Sequence, residues 1–128
     1  MHPNAISSIP LFSSVARRKR DVLARLVDDV DVPAGRSLTT QGGYAREFFV
    51  VVSGTADVLR DDALVGTVGP GDFFGEVGLL GRGWTRTATV LATSPMRLLV
   101  LAPNEFRELL ATFPAIAGPI VHAAAQRA

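Results

Sequence analysis

Between residues 33 and 102 the chain consists of short apolar runs separated by glycine and proline turns, and this spacing constrains the fold more than any other feature. The runs are β-branched or aromatic, or they alternate polar and apolar side chains, as strands do. Strong turn signals such as Gly69-Pro70-Gly71-Asp72 stand between them. Many short strands at this spacing predict a β-sandwich or barrel. The predicted strands include 48–52, 55–59, 63–68, 87–91 and 96–101.

The segment before this region is predicted to be helical over residues 1–32. Apolar residues recur at helical spacing from Leu23 to Val30, which predicts one buried stripe. Ser13 and Ser14 are candidate N-caps, because a serine hydroxyl can accept from the free N–H groups of a first turn.

The segment after it, residues 103–128, is predicted to form C-terminal helices. Pro103 suits a first helical position, and Pro114 is expected to end the first of these helices. A chain of 128 residues fits one hydrophobic core. We therefore expect a single domain over 1–128, with the barrel at 33–102.

Composition excludes several classes of function. The 13 Lys and Arg residues nearly balance the 12 Asp and Glu residues, so no global field indicates direct binding of nucleic acid. The absence of cysteine excludes disulfides and thiolate metal sites. The two histidines, His2 and His122, lie at opposite ends of the chain. We therefore expect neither a metal site nor a histidine-dependent catalytic site.

Targeting signals and charge runs are few. No apolar run approaches the length of a membrane span and no signal peptide opens the chain, so the cytoplasm is the expected compartment. Arg17-Arg18-Lys19-Arg20 is a dense basic run. We interpret it as a solvated face rather than a contact for an acidic partner, a membrane surface or a phosphate backbone, because the patch is small.

The motif that carries chemistry is a glycine-rich turn followed by an arginine. Glu76 lies within Gly71–Leu80, and Arg86 follows it by ten positions. A short helix beginning after Phe74 would direct free N–H groups and a partial positive charge outward, which suits a phosphate. Arg86 would add a charge-assisted contact. Glu76 requires donors, and a sugar hydroxyl is one. A phosphate, a hydroxyl and a flat apolar body together describe a nucleotide.

These residues resemble the phosphate-binding cassette of the cyclic nucleotide-binding domain family. The family pattern is Phe-Gly-Glu, two small or apolar residues, Leu, a short insertion and then Arg, one of Thr, Ser or Ala, Ala and Thr; residues 74–80 and 86–89 match it. The preceding Gly69-Pro70-Gly71-Asp72-Phe73 also matches, and the resemblance covers nearly the whole chain. It implies a mainly β fold, an eight-stranded jelly-roll β-barrel flanked by N-terminal and C-terminal α-helices.

The resemblance also implies roles for single residues. Glu76 would accept from the ribose 2′-hydroxyl, and Arg86 would pair with the cyclic phosphate, with Thr87 as a further donor. Val58 and Val68 correspond to apolar positions that flank the base. The full implied set of ligand-binding residues is Val58, Val68, Phe74, Gly75, Glu76, Val77, Gly78, Arg86, Thr87 and Ala88.

The implied function is a regulatory binding module without catalysis and without a cofactor other than its ligand. That ligand is cyclic AMP or cyclic GMP. Thr87 permits cyclic GMP, because a threonine after the arginine can reach the amino group of guanine in this family, but cyclic AMP is the expected ligand. Two kinds of partner are left open. One is an effector domain or protein, and the other is a second copy of the chain, bound through the terminal helices.

Three features depart from the family pattern. Thr85, preceded by Trp84, stands where a proline often precedes the arginine, and Trp84 either shields the phosphate or is an exposed loop aromatic. Gly43 replaces an acidic residue that often follows Gln-Gly. The lid that covers the base in family members has only weak candidates here, namely Ile120, Val121 and His122.

Other functions compete with a cyclic nucleotide sensor. In one alternative, Glu76 and Arg86 form only a structural ion pair. In another, the chain is a degenerate domain that binds nothing and serves as an interaction surface, which the intact Glu76 and Arg86 disfavour and the weak lid favours. A sensor fragment of a catabolite-activator-type transcription regulator is another alternative, although no helix-turn-helix fits before Ala128. A cupin-like jelly-roll enzyme would need a histidine-rich metal site, which two distant histidines do not provide.

Overall fold

A computed structural model describes residues 1–81 and 85–127. Trp84, with its two alternative roles, lies outside these residues. The described chain contains eight strands, which are β1 Asp28–Val32, β2 Ser37–Thr39, β3 Phe48–Ser53, β4 Ala56–Arg60, β5 Ala63–Val68, β6 Phe73–Phe74, β7 Thr89–Ala92 and β8 Met96–Leu101. Its α-helices are α1 Pro3–Ile6, α2 Arg20–Leu26, α3 Glu76–Leu80, α4 Pro103–Thr112 and α5 Pro114–Arg127.

The strands form two four-stranded antiparallel sheets, and this confirms the mainly β, eight-stranded jelly-roll fold. One sheet has the order β1-β8-β3-β6 and the other β2-β7-β4-β5. Their inner faces pack into one apolar cluster, which includes Phe49, Val51 and Leu98 from the first sheet and Ala56 and Val90 from the second. The sheets are not closed into a ring among the described residues, so the predicted barrel is corrected to a sandwich of two sheets.

A second core lies between the first sheet and the helices. Alternate residues of β3 and β8 turn outward from the sandwich and meet apolar side chains of the helices. Phe48 packs its ring 4.8 Å from that of Phe106 on α4. Ile116 and Ile120 of α5 are fully buried in the same cluster. This core fixes where α5 runs relative to the sheets, and α5 reaches the functional site.

The helical prediction for residues 1–32 was wrong at its end. Residues 28–32 form β1, which pairs with β8 from Asp28 opposite Val100 to Val32 opposite Met96. Backbone pairing outweighed the apparent helical stripe, and Val30 is exposed.

The start of that helical segment also differs from the prediction. Ser13 follows a short 3₁₀ turn, Pro10–Phe12, and its hydroxyl donates to the Pro10 carbonyl over 2.9 Å, so it does not cap the N-terminus of a helix. Of the basic run, Arg17–Lys19 form another 3₁₀ turn and are exposed, in line with their interpretation as a solvated face, whereas Arg20 begins α2 and is half-buried.

Two strand boundaries were also shifted. β4 begins at Ala56 because the Thr55 N–H donates to the Ser94 hydroxyl, outside the sheet ladder. β7 begins at Thr89, so Thr87 and Ala88 belong to the segment that precedes the strand.

An ion pair joins β1 to β8 on the surface. The Arg97 Nε donates to the Asp29 Oδ1 over 2.8 Å, and this hydrogen bond, together with the positive charges nearby, holds the pKa of the Asp29 carboxyl below its usual value.

The predicted C-terminal helices are present. α4 ends at Thr112 and α5 begins at Pro114, with a bend of 119° between them. Within the described ranges no single helix is long and apolar enough to cross a membrane; α4 and α5 reach that length and composition only when taken together across their bend.

Candidate ligand-binding site

A cavity of about 390 Å³ opens between the second sheet, α3 and the end of α5. All ten residues that the sequence predicted for the ligand line this cavity, from Val58 on β4 to Ala88 before β7. The structure therefore brings the whole predicted set together. The cavity is also lined by eight residues that were not in that set, namely Thr39, Arg60, Val65, Gly66, Thr67, Val90, Gln126 and Arg127.

Gly75 sets the geometry of the turn that leads into α3. Its φ of 101° is a left-handed conformation that side chains disfavour. A Cβ at this position would lie 2.7 Å from the Glu47 carbonyl oxygen and 3.0 Å from the Arg86 Nη1. Glycine therefore allows the turn to approach both groups. The helix α3 starts at Glu76, in line with the short helix predicted after Phe74, and Glu76 is buried.

Glu76 is a buried carboxylate that has one oxygen paired and one free. The residue has 0% exposure, and its Oε1 lies 2.8 Å from the Arg127 Nη1. Its Oε2 is buried and accepts no hydrogen bond from any described residue. A buried acceptor without a donor is destabilising, so this oxygen is suited to a ligand that brings a donor.

Arg86 is a buried guanidinium held by backbone carbonyls. Its Nη2 donates to the Glu47 carbonyl over 2.7 Å, and its Nη1 donates to the Gly75 carbonyl over 3.2 Å. The residue is 7% exposed. Burial lowers the pKa of the Arg86 guanidinium, while the carboxylates of Glu47 and Glu76 act in the opposite direction. An arginine stays protonated even so, and the cavity keeps this positive charge.

The predicted alternative in which Glu76 and Arg86 pair with each other is corrected. Among the described residues the salt-bridge partner of Glu76 is Arg127, and the hydrogen-bond acceptors of Arg86 are carbonyl oxygens. Glu76 and Arg86 therefore do not pair with each other, and each keeps hydrogen-bonding groups for a ligand.

An apolar wall and a polar rim complete the site. Val68 and Phe74 are buried in the wall, with the Phe74 ring stacked 4.7 Å from that of Phe49. Val58 is half-buried and stands opposite Gly66 on β5. Thr87 is exposed at the rim. The wall can pack against a flat apolar group, while the rim can exchange hydrogen bonds with its edge.

The lid candidates taken from the sequence were wrong. Ile120 is buried in the helical core, and Val121 and His122 are exposed; none of the three lines the cavity. Arg127 reaches the site instead. It donates through Nη1 to both Glu76 and the Phe73 carbonyl, each over 2.8 Å, and its guanidinium lies 5.1 Å from the Phe73 ring centroid.

Helical periodicity supplied a signal for Arg127. Position 127 follows Ile120 by seven residues, so the two share a helix face once α5 extends that far. Arg60 was missed for another reason. It ends β4, donates through Nε to the Thr87 carbonyl over 3.2 Å and through Nη2 to the Arg127 carbonyl over 3.4 Å. Those contacts join three distant parts of the chain, which a linear pattern does not reveal.

A cupin-like jelly-roll enzyme would need a cluster of metal-binding side chains. No group of three or more His, Cys, Asp or Glu side chains placed to hold a metal ion occurs in the part of the chain that the structure describes.

Comparison with known proteins identifies the family. Residues 29–113 match the family model of the cyclic nucleotide-binding domain. The match includes both sheets, the turn at Gly75 and Arg86, and the chain belongs to this family.

Curated relatives and solved structures agree with this membership. The chain is 31% identical over 112 residues to the cAMP-dependent protein kinase regulatory subunit of Yarrowia lipolytica, which covers 86% of this chain and 30% of that protein. The chain thus spans about 30% of the length of this relative. The catabolite activator protein of Thermus thermophilus is 26% identical, with a TM-score of 0.79 over 92% of this chain and 57% of its own.

A further solved structure, described as cAMP-bound PfPKA-R (141-441), has a TM-score of 0.83 at 23% identity and covers 98% of this chain and 44% of its own. At this identity the likeness supports the fold. These relatives are thus a protein kinase regulatory subunit, a catabolite activator protein and a cAMP-bound protein.

Proposed function

We propose that this chain is a non-catalytic sensing module that binds a purine cyclic nucleotide in the cavity beside α3. The free Oε2 of Glu76 carries the proposal, because it is a buried acceptor that no described residue satisfies. A ribose hydroxyl is a donor of suitable size and would complete the hydrogen bonding of the carboxylate. Few other roles explain an unsatisfied buried carboxylate oxygen on a residue that lines a cavity.

The phosphate would bind at Arg86, the second charged side chain of the predicted set. Arg86 lies next to Gly75, and its two recorded hydrogen bonds leave further guanidinium N–H groups for an anion. The first turn of α3 has backbone N–H groups without intrahelical acceptors, which add to the positive potential there. The cyclic phosphate and the ribose would thus bind at adjacent points, with Thr87 as a further donor.

The base would extend along the apolar wall formed by Val58 and Val68. The names of the relatives point to cyclic AMP, and Thr87 also accommodates cyclic GMP. Signalling would run through α5, because this helix packs against α3 and ends on Glu76. Ligand binding would bias the position of α5 and thereby an attached effector domain or protein.

Isothermal titration with each cyclic nucleotide tests the proposal. The intact chain should bind, and Arg86→Ala should weaken binding of both nucleotides by on the order of 100-fold or more, because the phosphate loses a buried charged partner. Arg36→Ala is the matched control, since Arg36 is exposed and does not line the cavity. Circular dichroism must show that the Arg86→Ala protein is folded. If that protein does not fold, Arg86→Lys replaces it in the titration, because lysine keeps the positive charge. A folded Arg86→Ala protein with unchanged affinity would contradict the proposal.

A second candidate function has one observation in its favour. Arg127 already occupies one oxygen of Glu76, as it would in a domain whose own helix substitutes for a ligand and whose surface serves only for interaction. The same titration separates the two functions. A folded intact chain that binds neither nucleotide would favour this second candidate.

A further inference from the structure

We infer that Gln41 is a positioning residue for the ligand, which holds the tip of the β4–β5 hairpin against the loop that fixes Arg86. The inference rests on the proposed function, because the hairpin carries the apolar wall for the base and Arg86 carries the contact to the phosphate. Gln41 does not line the cavity, so it acts through the groups that do.

The hairpin ends in a turn that its own residues do not favour. Arg60 pairs with Ala63, so Asp61 and Asp62 form a two-residue turn. Their φ angles are 52° and 63°, both in the left-handed region, as in a type I′ turn. Such turns favour glycine and asparagine, because most side chains are disfavoured in this region. The turn is therefore stabilised by any contact that holds it from outside the hairpin.

Gln41 supplies such a contact through both ends of its side-chain amide. The Asp61 N–H donates to the Gln41 Oε1 over 2.8 Å, and the Gln41 Nε2 donates to the Asp61 Oδ1 over 2.9 Å. The second bond is charge-assisted, because its acceptor is a carboxylate. Two bonds between the same two residues fix their orientation as well as their distance.

The backbone at and after Gln41 holds the other side of the site. The Gly42 N–H donates to the Arg86 carbonyl over 2.9 Å, and the Arg86 N–H donates to the Gly43 carbonyl over 2.7 Å. The Gln41 N–H donates to the Thr89 hydroxyl over 3.0 Å. Three consecutive residues thus join the tip of the hairpin to the backbone of the arginine that would bind the phosphate.

This link lies beyond the end of a sheet ladder. The pairing of β4 with β7 ends at Leu59 opposite Thr89. Past that pair, side chains make the connection, and the bonds of Gln41 to Asp61 are among them. Without these two bonds the tip and the Arg86 segment would separate more readily. A smaller fraction of the folded molecules would then have the geometry that binds the ligand, and the apparent affinity would fall.

Isothermal titration of the full chain with cyclic AMP and with cyclic GMP tests this role by exchanging the groups of the two partners. Gln41→Glu replaces the amide donor with a carboxylate that faces Asp61. Both residues are exposed, so we expect a modest rise in Kd of about three- to tenfold, the effect of one or two ordinary hydrogen bonds. Adding Asp61→Asn supplies an amide that donates to the new carboxylate, and Kd should return close to the wild-type value.

Asp62→Asn is the matched control for this rescue. It removes the same charge from the same turn, also at a positive φ, but the two bonds of the Gln41 side chain go to Asp61. Gln41→Glu combined with Asp62→Asn should therefore still bind weakly. Equal recovery in the two double variants would show that net charge sets the affinity, and an unchanged Kd in Gln41→Glu would overturn the inference as well.

Hydrogen exchange measures the link without a ligand. The Asp61 amide should exchange faster in Gln41→Ala than in the wild-type chain, because its N–H loses the acceptor. Unchanged exchange at Val50, which is buried in β3, shows that the variant is folded. If the Asp61 amide exchanges equally fast in both proteins, Gln41 does not hold the turn and the inference is wrong.

The outcomes also distinguish this inference from the proposed function. If Arg86→Ala abolishes binding of both nucleotides while Gln41→Glu binds as tightly as the wild type, the site stands and the positioning role fails. If the wild-type chain binds neither nucleotide, or a folded Arg86→Ala protein binds both normally, the proposed function fails and the positioning role fails with it.

Discussion

At the scale of single residues, the site depends on Gly75, Glu76 and Arg86. Gly75 combines a φ of 101° with a space that a Cβ would overlap. Glu76 is buried by the turn that Gly75 makes, and Arg86 lies against the carbonyl of Gly75. Residue types and spacing predicted these three positions, because each requirement is local to the turn or to the chemistry of one side chain.

Gly75→Ala should lower the free energy of unfolding by about 1–3 kcal/mol, because alanine is strained at this φ and its Cβ displaces Glu47 or Arg86. Chemical denaturation measures the loss. Gly66→Ala is the matched control, because Gly66 lines the same cavity and an added Cβ there meets nothing within 4 Å. Equal effects of the two substitutions would show that the geometry at Gly75 is not the cause.

At the scale of elements, α5 is the helix that connects the core to the site. Its buried face is anchored by Ile116 and Ile120, and its last turn places Arg127 on Glu76 and on the Phe73 carbonyl. A cation at this end also interacts favourably with the helix dipole. The helix itself was predictable from the sequence pattern. Its contact with residue 76 was not, because 51 residues separate Glu76 from Arg127.

Arg127→Ala should release the last turn of α5. The side chain of Arg127 is 43% exposed, so we expect a loss of only about 1 kcal/mol in the free energy of unfolding. Faster hydrogen exchange confined to the last turns of α5 is the more direct measurement. Gln126→Ala is the control, since Gln126 is exposed and its side chain makes no hydrogen bond among the described residues.

A double-mutant cycle that combines Arg127→Ala with Glu76→Gln then gives the interaction free energy of the Glu76–Arg127 pair. If exchange in α5 is the same in Arg127→Ala as in the control, the salt bridge does not hold the helix end.

At the scale of the whole molecule, the cavity lies where parts from most of the chain meet. The second sheet supplies Val58 and Val68, α3 supplies Glu76, and the end of the chain supplies Arg127. The two apolar cores fix these parts relative to one another. A ligand that touches all of them stabilises the folded state without binding the unfolded chain, so binding and global stability are linked.

Cyclic nucleotide at 100 times its Kd should therefore stabilise the fold by about 2.7 kcal/mol, which raises the melting temperature by several degrees. Differential scanning fluorimetry with a concentration series checks this. The shift should grow with the logarithm of ligand concentration and disappear in Arg86→Ala. A shift of the same size in that variant would mean that the nucleotide acts elsewhere on the protein.

The sequence by itself determined the β-rich centre, the helices at the C-terminal end and the chemistry of the cassette. Strand runs, turns and the residues around Gly75 act over short distances along the chain, and their patterns are visible in one dimension. The sequence-based prediction was wrong at residues 28–32, where apolar spacing indicated a helix but pairing with β8 produces a strand.

Only the tertiary structure decided which distant side chains line the cavity. Arg60 and Arg127 reach the site through hydrogen bonds that span 27 residues, from Arg60 to Thr87, and 51 residues, from Arg127 to Glu76. Such contacts exist only after the two sheets and α5 have packed around their cores, because packing sets the distance between side chains that are remote in sequence.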